Sequence, residues 1–361
     1  MKRICFFCGD ITRSGGTERV ASRVANALAE EEGYAVCFLS LVEQSGTPFY
    51  RLAPSIPRYQ LGNRWIQPGP GYLPLIGRLR RFLKEKPIDI LIDVDIVLDA
   101  LSLPAAWRLG TKVISWEHFN AEFELSVPYR RWILRYSVRR SDYVVVLTKG
   151  DLENYRRLLG REERIAQIYN PLDPAHICGN VRRENLILSV GRLTQQKGID
   201  KLMRVAQSLL PENPDWQWLL LGEGELRPEL ERYIERNNFQ NRMLLMGNVE
   251  NVDAYLQRAG ILVSTSDFEG LPMNILEAKR MGVPCVSFSI IGPHEIIRDG
   301  VDGYLVPPFR CEEMARRIST LIRSPDLREQ FGNQALASME DFETSRIITQ
   351  WKRVLAQVEG R

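Results

Sequence analysis

Two glutamates, Glu269 and Glu277, lie eight positions apart on either side of a glycine-proline turn. The apolar residues 261–263 predict a buried strand before the turn, and Pro272 is expected to be the first residue of a helix, where a missing amide proton costs nothing. The amides and the positive dipole at a helix start suit a phosphate. One carboxylate therefore stands before a predicted anion site, within reach of a sugar. The other stands about one turn inside the helix, within reach of a ribose.

A pair of cations has the same kind of setting. Arg192 and Lys197 follow a predicted strand at 187–190 and are separated by a short polar loop. A rigid guanidinium fork and a compact ammonium can together stabilise the negative charge that grows on a departing nucleoside diphosphate. The alternative is a solvated loop with two surface cations.

Paired glycines mark a third segment, Ser14-Gly-Gly-Thr-Glu-Arg19, which follows a predicted strand and begins a predicted helix. Gly15 and Gly16 let the backbone approach a ligand closely. The spacing differs from that of the dinucleotide-binding fingerprint, and no Lys-Ser or Lys-Thr follows the glycines as in a P-loop. The pair alone is weak evidence for a site.

A fourth candidate is His118, which follows a predicted strand at 113–116 in a chain with only three histidines. A neutral imidazole can accept or relay a proton near pH 7. The alternative is a histidine that only makes structural hydrogen bonds.

The two glutamates, with Gly-Leu-Pro after the first, resemble the signature of the retaining family 4 glycosyltransferases, which have the two-domain GT-B architecture. The resemblance implies that Glu269 holds hydroxyls of the donor sugar, that Glu277 holds the ribose, and that Arg192 and Lys197 bind the diphosphate. It places His118 near the reacting centre, so that the expected catalytic residues are Glu269, His118, Arg192 and Lys197.

The resemblance also implies further contacts with the nucleotide sugar. Two glycine-containing loops after later predicted strands would face the nucleotide, the paired glycines would lie beside the diphosphate or the acceptor, and the helix start would hold the phosphates. These additional donor-binding residues are Gly15, Gly16, Gly222, Glu223, Asn248, Val249, Gly270, Leu271, Pro272, Met273 and Asn274.

Short apolar runs alternate with helical patterns along the whole chain, which predicts an α/β protein with two doubly wound parallel sheets. Ligands bind beyond the carboxyl ends of such strands. By resemblance, two Rossmann-like domains face each other across a cleft. We expect an acceptor-binding domain at 1–168, a nucleotide-sugar-binding domain at 169–344, and a C-terminal helix at 345–361 that crosses back to the first domain. The predicted strands are 4–8, 35–39, 88–92, 113–116 and 144–147, then 187–190, 216–221, 243–246, 261–264 and 283–287.

Composition fits this reading. At about 150 residues per domain, 361 residues suggest two to three domains, and a hydrophobic fraction of 44% is ordinary for a globular protein. The net charge of +3 is too small to imply nucleic acid. Six scattered cysteines favour free thiols in a reducing cytoplasm. No run approaches the roughly 18 apolar residues that cross a bilayer, so a soluble or peripheral protein is expected.

Two predicted helices, at 75–86 and 129–140, interleave cations with aromatic and aliphatic residues. Such a face suits anionic lipid, whereas the alternative is a pair of core-packed helices with solvated basic sides. By family habit, basic helices here serve polyprenyl-diphosphate acceptors. We therefore expect a cytoplasmic protein, peripheral on the inner face of the cytoplasmic membrane, that acts in capsule, exopolysaccharide or O-antigen synthesis.

The motif Asp93-Val-Asp95 matches the Asp-x-Asp that holds a metal in a different class of glycosyltransferase. Alternation along a strand would point both carboxylates to one face, so the geometry would allow the two carboxylates to bind a metal ion together. GT-B enzymes use protein cations and helix dipoles instead, and we predict no divalent metal and no cofactor beyond the nucleotide-sugar co-substrate.

The sequence thus predicts a retaining, metal-independent hexosyltransferase that moves a hexose or N-acetylhexosamine from a UDP-sugar to a glycan acceptor. Two alternatives stay open. A GT-B sugar-nucleotide epimerase would convert the donor in the absence of acceptor. A non-catalytic nucleotide-sugar-binding protein would not convert the donor with or without acceptor. A dehydrogenase is disfavoured because the dinucleotide fingerprint is missing.

Overall fold

The computed structural model describes residues 1–64, 71–160, 163–172 and 182–360. The chain forms two compact units, the first comprising Met1–Pro171 with Phe342–Arg361 and the second Leu172–Asp341. The expected boundaries after residues 168 and 344 lie three residues from the observed divisions after 171 and 341.

A parallel sheet of seven strands forms the centre of the first unit. The buried parts of its interior strands are mostly apolar, as expected where helices cover both faces of a sheet. The strands are β1 (Lys2–Cys8), β2 (Tyr34–Ser40), β3 (Arg58–Gln60), β4 (Ile90–Val94), β5 (Lys112–Trp116), β6 (Tyr143–Val146) and β7 (Ile165–Gln167). Their order is β3-β2-β1-β4-β5-β6-β7.

Helices follow most of these strands in the described part of the first unit. Their starts carry local signals: Pro128 is the first residue of one helix, and the Thr148 side chain caps another by accepting from Asp151 N at 3.0 Å. The helices are α1 (Gly16–Ala29), α2 (Tyr72–Glu85), α3 (Asp99–Ala106), α4 (Ala121–Ser126), α5 (Pro128–Arg140) and α6 (Lys149–Leu159).

The second unit repeats the architecture with six parallel strands, in the order β10-β9-β8-β11-β12-β13. The strands are β8 (Leu186–Val190), β9 (Gln217–Leu221), β10 (Met243–Gly247), β11 (Ile261–Ser264), β12 (Cys285–Phe288) and β13 (Gly303–Val306). The helices are α7 (Ile199–Leu209), α8 (Arg227–Arg236), α9 (Val252–Arg258), α10 (Met273–Arg280), α11 (Ile291–Ile296), α12 (Cys311–Arg323) and α13 (Pro325–Ala337).

The last helix, α14 (Thr344–Glu359), belongs to the first unit. Its buried Trp351 meets Trp116 edge to face, with ring centroids 4.8 Å apart. Lys352 adds an ion pair to Glu31, with Nζ and Oε2 2.5 Å apart. The C-terminal segment therefore completes the packing of the first unit.

Three strands were not predicted from the sequence pattern: β3, β7 and β13. Each lies at the edge of its sheet and has only three or four residues, and β13 begins with a glycine. Such short stretches show no alternation that marks a strand. Across the described residues, no helix is both long and apolar enough to span a bilayer.

Cys5, Cys8, Cys37, Cys285 and Cys311 are free and buried, while Cys178 and His176 lie outside the described residues.

In both sheets the strand order reverses beside one central strand, β1 in the first unit and β8 in the second. Loops that leave neighbouring strands in opposite directions open a crevice at such a switch point, beyond the carboxyl ends of the strands. The paired glycines follow β1, and Arg192 and Lys197 follow β8. The candidate residues of both halves thus occupy the position where α/β sheets bind ligands.

Candidate active site

Two charged residues that the sequence analysis singled out meet at the switch point of the second unit. Lys197 Nζ lies 2.6 Å from Glu269 Oε1, although the residues come from the separate loops after β8 and β11. The side chains are 21% and 8% exposed, so solvent screens the pair only in part. Ser266 Oγ donates to the same carboxylate oxygen at 2.6 Å. The glutamate is therefore held in one orientation by an ammonium and a hydroxyl.

The backbones of these two loops are also joined. Thr265 Oγ1 donates to the carbonyl of Lys197 at 3.0 Å, and Asp267 N donates to the carbonyl of Gln196 at 2.9 Å. Gly198 has a φ of +64°, and a Cβ there would lie 2.0 Å from the carbonyl oxygen of Thr265. Only glycine permits this approach, which fixes Lys197 beside Glu269.

The helix that carries Glu277 begins one residue later than expected. Pro272 is not its first residue: it has an extended ψ of 100° and precedes Met273, which begins α10. Its carbonyl accepts from Ile275 N at 3.2 Å, so proline occupies the capping position. Glu277 lies in the second turn and is 4% exposed.

The start of α10 is tied to the end of β8, because Asn274 Nδ2 donates to the carbonyl of Val190 at 2.8 Å. Gly270 and the buried Leu271 form the turn before it, and a Cβ at Gly292 in α11 would lie 2.1 Å from the Gly270 carbonyl oxygen. Contacts on both sides therefore set the direction of the helix start.

A narrow pocket of about 30 Å³ lies in this region. Its lining includes Gly191, Arg192, Lys197, Ser266 and Asn274. Arg192 is exposed at its edge. Within the described part of the chain, its guanidinium has no hydrogen-bond or ion-pair partner, in contrast to Lys197. The structure thus brings one paired and one unpaired cation to the start of α10.

The two loops that were predicted to face the nucleotide differ in their contacts with the rest of the site. Gly222 N donates to the carbonyl of Gly247 at 2.8 Å, and a Cβ at Gly222 would lie 2.0 Å from the carbonyl oxygen of Gly191, beside Arg192. Glu223 forms an ion pair with Arg227, at 2.5 Å. The loop after β9 therefore packs against the arginine loop.

Asn248 and Val249 follow the edge strand β10, where Asn248 is exposed and Val249 half-buried. In the described part of the chain, no hydrogen bond or ion pair joins either residue to the lysine-glutamate pair.

In the first unit, Gly15 caps α1 and Gly16 is the first residue of that helix. A Cβ at Gly15 would lie 2.1 Å from Oε2 of Glu18, whereas a Cβ at Gly16 would meet open space. Burial raises the pKa of Glu18. Because Oε2 is the end of a flexible side chain that can move, the contacts of the described residues require glycine at neither position.

His118 follows β5 and packs against Trp116, with ring centroids 4.5 Å apart. Burial lowers the pKa of His118 to about 3, and Nε2 is buried with no hydrogen-bond partner among the described residues. The imidazole is therefore neutral at physiological pH. This geometry favours a hydrogen-bonding role over the uptake of a proton.

The two aspartates of the Asp-x-Asp motif diverge. Asp93 is fully buried in β4 and accepts from Ser102. Asp95 lies beyond the strand with a φ of +95°, accepts from Val97 N at 3.1 Å, and has Oδ2 3.6 Å from Nη2 of Arg130. The expectation that both carboxylates share one face is wrong, because β4 ends at Val94 and strand alternation ends with it. Among the described residues, no cluster of three or more His, Cys, Asp or Glu could hold a metal ion.

Sequence reasoning missed two hydroxyl side chains, Thr265 and Ser266, that bind the lysine loop and Glu269. Their signal was present, since both directly follow β11 and precede the glutamate by only a few residues. Hydroxyls at the carboxyl end of a strand next to an acidic motif are candidates for orienting that acid.

Comparisons with known proteins follow the division into two halves. A sequence profile described as "Glycosyl transferases group 1" matches residues 179–337. A second profile, "Glycosyltransferase Family 4", matches residues 14–176.

Full-length relatives agree with these matches. An uncharacterized glycosyltransferase of Haemophilus influenzae is 31% identical over 358 residues, covering 98% of this chain and 100% of the relative. The amylovoran biosynthesis glycosyltransferase AmsD of Erwinia amylovora is 27% identical, over 98% of this chain and 100% of the relative.

A third relative, from Campylobacter jejuni, is 27% identical with full coverage of both chains. It is the GalNAc-alpha-(1->4)-GalNAc-alpha-(1->3)-diNAcBac-PP-undecaprenol alpha-1,4-N-acetyl-D-galactosaminyltransferase. Among solved structures, Anabaena HepE in complex with UDP and glucose superposes with a TM-score of 0.84 at 18% identity, over 99% of this chain and 100% of HepE. The fold is GT-B, with two Rossmann-like domains.

Proposed function

Because this chain belongs to the family 4 glycosyltransferases, we propose that it moves a hexose or N-acetylhexosamine from a UDP-sugar to a glycan acceptor with retention of anomeric configuration. The observation that carries the proposal is the contact of Lys197 with Glu269, beside Arg192 and the start of α10. That combination offers positive charge for a diphosphate and a fixed carboxylate for sugar hydroxyls.

We propose that the positive charge acts on the leaving group. The bond between the sugar C1 and the diphosphate oxygen breaks, the acceptor oxygen bonds to C1 on the same face, and the leaving oxygen takes the proton of the acceptor hydroxyl. Arg192, Lys197 and the amides at the start of α10 would hold the diphosphate as its charge grows. Glu269 would bind sugar hydroxyls, and Glu277 the ribose.

In the first unit, Gly16 and His118 are the proposed contacts for the reacting groups. A Cβ at Gly16 would meet open space, so the absent side chain leaves room for a ligand against the start of α1. The buried, unpaired Nε2 of His118 is suited to a hydrogen bond with a sugar hydroxyl.

A divalent metal is not part of the proposed mechanism, since Arg192 and Lys197 can supply the charge that a metal would otherwise provide. The carboxylates of Asp93 and Asp95 have separate partners, which does not favour a shared ion. Turnover should be unchanged by EDTA; a loss that manganese or magnesium restores would contradict this part of the proposal.

For the acceptor we propose a glycan linked to polyprenyl diphosphate. The Campylobacter relative is named for a sugar carried on PP-undecaprenol, and the AmsD relative for amylovoran biosynthesis. Synthesis of a surface polysaccharide, such as a capsule, exopolysaccharide or O-antigen, is the proposed role.

The outer side of α5 supports contact with an anionic membrane. Trp132 is 64% exposed and stacks on Tyr136 with ring centroids 5.5 Å apart, and exposed Arg135 and Arg139 extend the same side of the helix. The opposite side packs inward through buried Leu134. An exposed tryptophan beside arginines suits the interface of anionic lipid, which supports the proposed location at the inner face of the cytoplasmic membrane.

Liposome flotation tests this surface. With vesicles that contain phosphatidylglycerol at low salt, the native protein should float with the vesicles, and the double change Arg135→Glu and Arg139→Glu should reduce the bound fraction several-fold. Arg232→Glu with Arg236→Glu, which reverses two exposed arginines at the same spacing in α8, is the matched control and should float like the native protein. Equal loss in both variants would argue for non-specific charge attraction.

The reaction itself is tested with a panel of UDP-sugars and lipid-linked glycans, with the anomeric configuration of the product assigned by NMR. The proposal expects UDP release that depends on acceptor and a product with the configuration of the donor. An inverted product would contradict retention. Conversion of the donor sugar without acceptor would indicate an epimerase.

A further inference from the structure

We propose that Asp95 and Arg130 form a subsite that binds a sugar ring of the glycan acceptor through its hydroxyls. The inference rests on the proposed function, because it takes the first unit to bind the acceptor. It uses the one aspartate of the Asp-x-Asp motif that neither the core nor the proposed donor site employs.

The topology places Asp95 among the other candidate residues of the first unit. Strand β4 lies between β1 and β5, and Asp95 directly follows it. Gly16 comes after β1, and His118 after β5, at the same edge of the sheet. Three neighbouring strands thus deliver a glycine, a carboxylate and an imidazole to the edge where α/β sheets bind ligands.

The backbone of Asp95 is held in a conformation that L-residues avoid, with φ +95° and ψ 122°. Glycine adopts this region without strain, whereas a side chain there is unfavourable. The carboxylate is therefore kept at an energetic cost. Strained residues of this kind are concentrated at binding and catalytic sites.

The ion pair between Asp95 and Arg130 is partly exposed. Oδ2 and Nη2 are 3.6 Å apart, beyond direct hydrogen-bond distance, and the side chains are 22% and 14% exposed. A hydroxyl that donates to the carboxylate and accepts from the guanidinium could bridge such a gap. The two side chains are exposed enough for a ligand to reach them. They are also buried enough for the low local dielectric to strengthen a hydrogen bond with the ligand.

Aromatic rings complete the surroundings of Arg130. Its guanidinium carbon lies 5.1 Å from the ring centroid of Phe119 and 6.0 Å from that of Tyr129. Its Nε donates to the Tyr129 hydroxyl at 3.3 Å, and Tyr129 is 49% exposed. Phe119 directly follows His118 in the sequence. A sugar ring has apolar C–H faces and a polar rim, so aromatic surface beside a carboxylate and a guanidinium matches its chemistry.

The competing explanation is purely structural, with Asp95 only capping the 3-10 turn at Ile96–Leu98 and pairing with Arg130. The two explanations differ for Asp95→Asn, which keeps the shape of the side chain and removes its charge. A purely structural role predicts that the folded variant binds glycosides like the native protein. A binding role predicts weaker glycoside binding by the folded variant.

Saturation-transfer NMR tests the subsite with methyl α-glycosides of glucose, galactose and N-acetylgalactosamine, on the native protein and on Asp95→Asn, Asp95→Gly and Arg130→Met. We expect transfer to at least one glycoside in the native protein and affinity weaker by on the order of tenfold in each variant, as for one charged hydrogen bond. Asp142→Asn is the matched control, since Asp142 pairs with Lys112 at 3.2 Å, before β6, and should bind like the native protein.

Equal transfer in the native protein and Asp95→Asn, or no transfer to any of the three glycosides in the native protein, would overturn the subsite. Asp95→Asn decides the matter if Asp95→Gly does not fold. Calorimetric titration with UDP in parallel separates the two proposals. Absent UDP binding by the native protein would contradict the donor site, whereas UDP binding with unchanged glycoside binding in the Asp95 variants would contradict the subsite alone.

Discussion

The charged side chains beyond the carboxyl ends of the strands are arranged differently in the two units. In the second unit, Lys197 and Glu269 are in direct contact at 2.6 Å, and Ser266 binds the same carboxylate oxygen. In the first unit, Asp95 and Arg130 stand 3.6 Å apart, and Nε2 of His118 has no partner in the described structure. A charged diphosphate needs fixed opposing charge, whereas a neutral sugar needs open hydrogen-bonding groups. This difference agrees with the proposed division into a donor-binding half and an acceptor-binding half.

The largest effect should come from removing the fixed cation. We expect Lys197→Met to lower turnover by about 10²–10⁴-fold, because charge on the departing diphosphate would lose a preorganised partner. The measurement is UDP release under saturating donor.

Lys201→Met is the matched control for that change. Lys201 Nζ lies 2.6 Å from Oδ1 of Asp267, so it is tied to the same loop that carries Glu269. Its loss should change turnover by less than about threefold if loop anchoring alone is at stake. Equal losses in Lys197→Met and Lys201→Met would mean that the lysines only support the loop.

Substitution of a glycine by alanine should have opposite effects on stability in the two units. Gly198→Ala adds a Cβ 2.0 Å from the Thr265 carbonyl oxygen at a φ of +64°, so we expect the free energy of unfolding to fall by at least about 1–3 kcal/mol. Gly16→Ala adds a Cβ in open space at the start of α1 and should stabilise by about 0.4–1 kcal/mol. Urea unfolding measures both changes.

The same Gly16→Ala variant should lose turnover despite its greater stability, because the new methyl group occupies the space proposed for a ligand. Native turnover in this variant would remove Gly16 from the site. A destabilised Gly16→Ala would contradict the packing described for the start of α1.

The last expected effect concerns the pH dependence of stability. Burial lowers the pKa of His118 to about 3, whereas an unfolded histidine titrates near 6.5. Below about pH 6.5 the unfolded chain therefore binds a proton that the folded protein does not accept, and stability falls toward acid by up to about 1.4 kcal/mol per pH unit. Above that pH this contribution is fully present.

His118→Phe keeps an aromatic ring against Trp116 and removes the titration. Urea unfolding at pH 7.5 and pH 5.5 should show a smaller loss of stability in the variant than in the native protein. Identical losses would mean that His118 is solvated, and the contrast between the two halves would weaken.

The sequence predicted the parts of the molecule that depend on local pattern. Ten strands were recognised because each is a short apolar run followed by a turn, and the glycosyltransferase family was recognised because the segment around Glu269 and Glu277 resembles its signature. The pairing of Lys197 with Glu269 was not predicted, since it depends on two loops that are 72 residues apart in the chain.

Other features could not be predicted for related reasons. The positive φ of Asp95 contradicts the strand pattern that precedes it, and its meaning depends on Arg130 from another helix. Pro272 is one residue outside the helix because its ψ is extended, a difference that residue type does not reveal. Asp95 and Arg130 lie on different elements, so no local sequence pattern predicts their ion pair.

Calorimetric titration of UDP tests the central claim, that Arg192 and Lys197 at the start of α10 hold a nucleoside diphosphate. The native protein should bind one UDP, and Arg192→Met and Lys197→Met should each weaken the affinity by about 10–100-fold, as expected for lost charge-assisted hydrogen bonds. Native affinity in both variants would contradict the account.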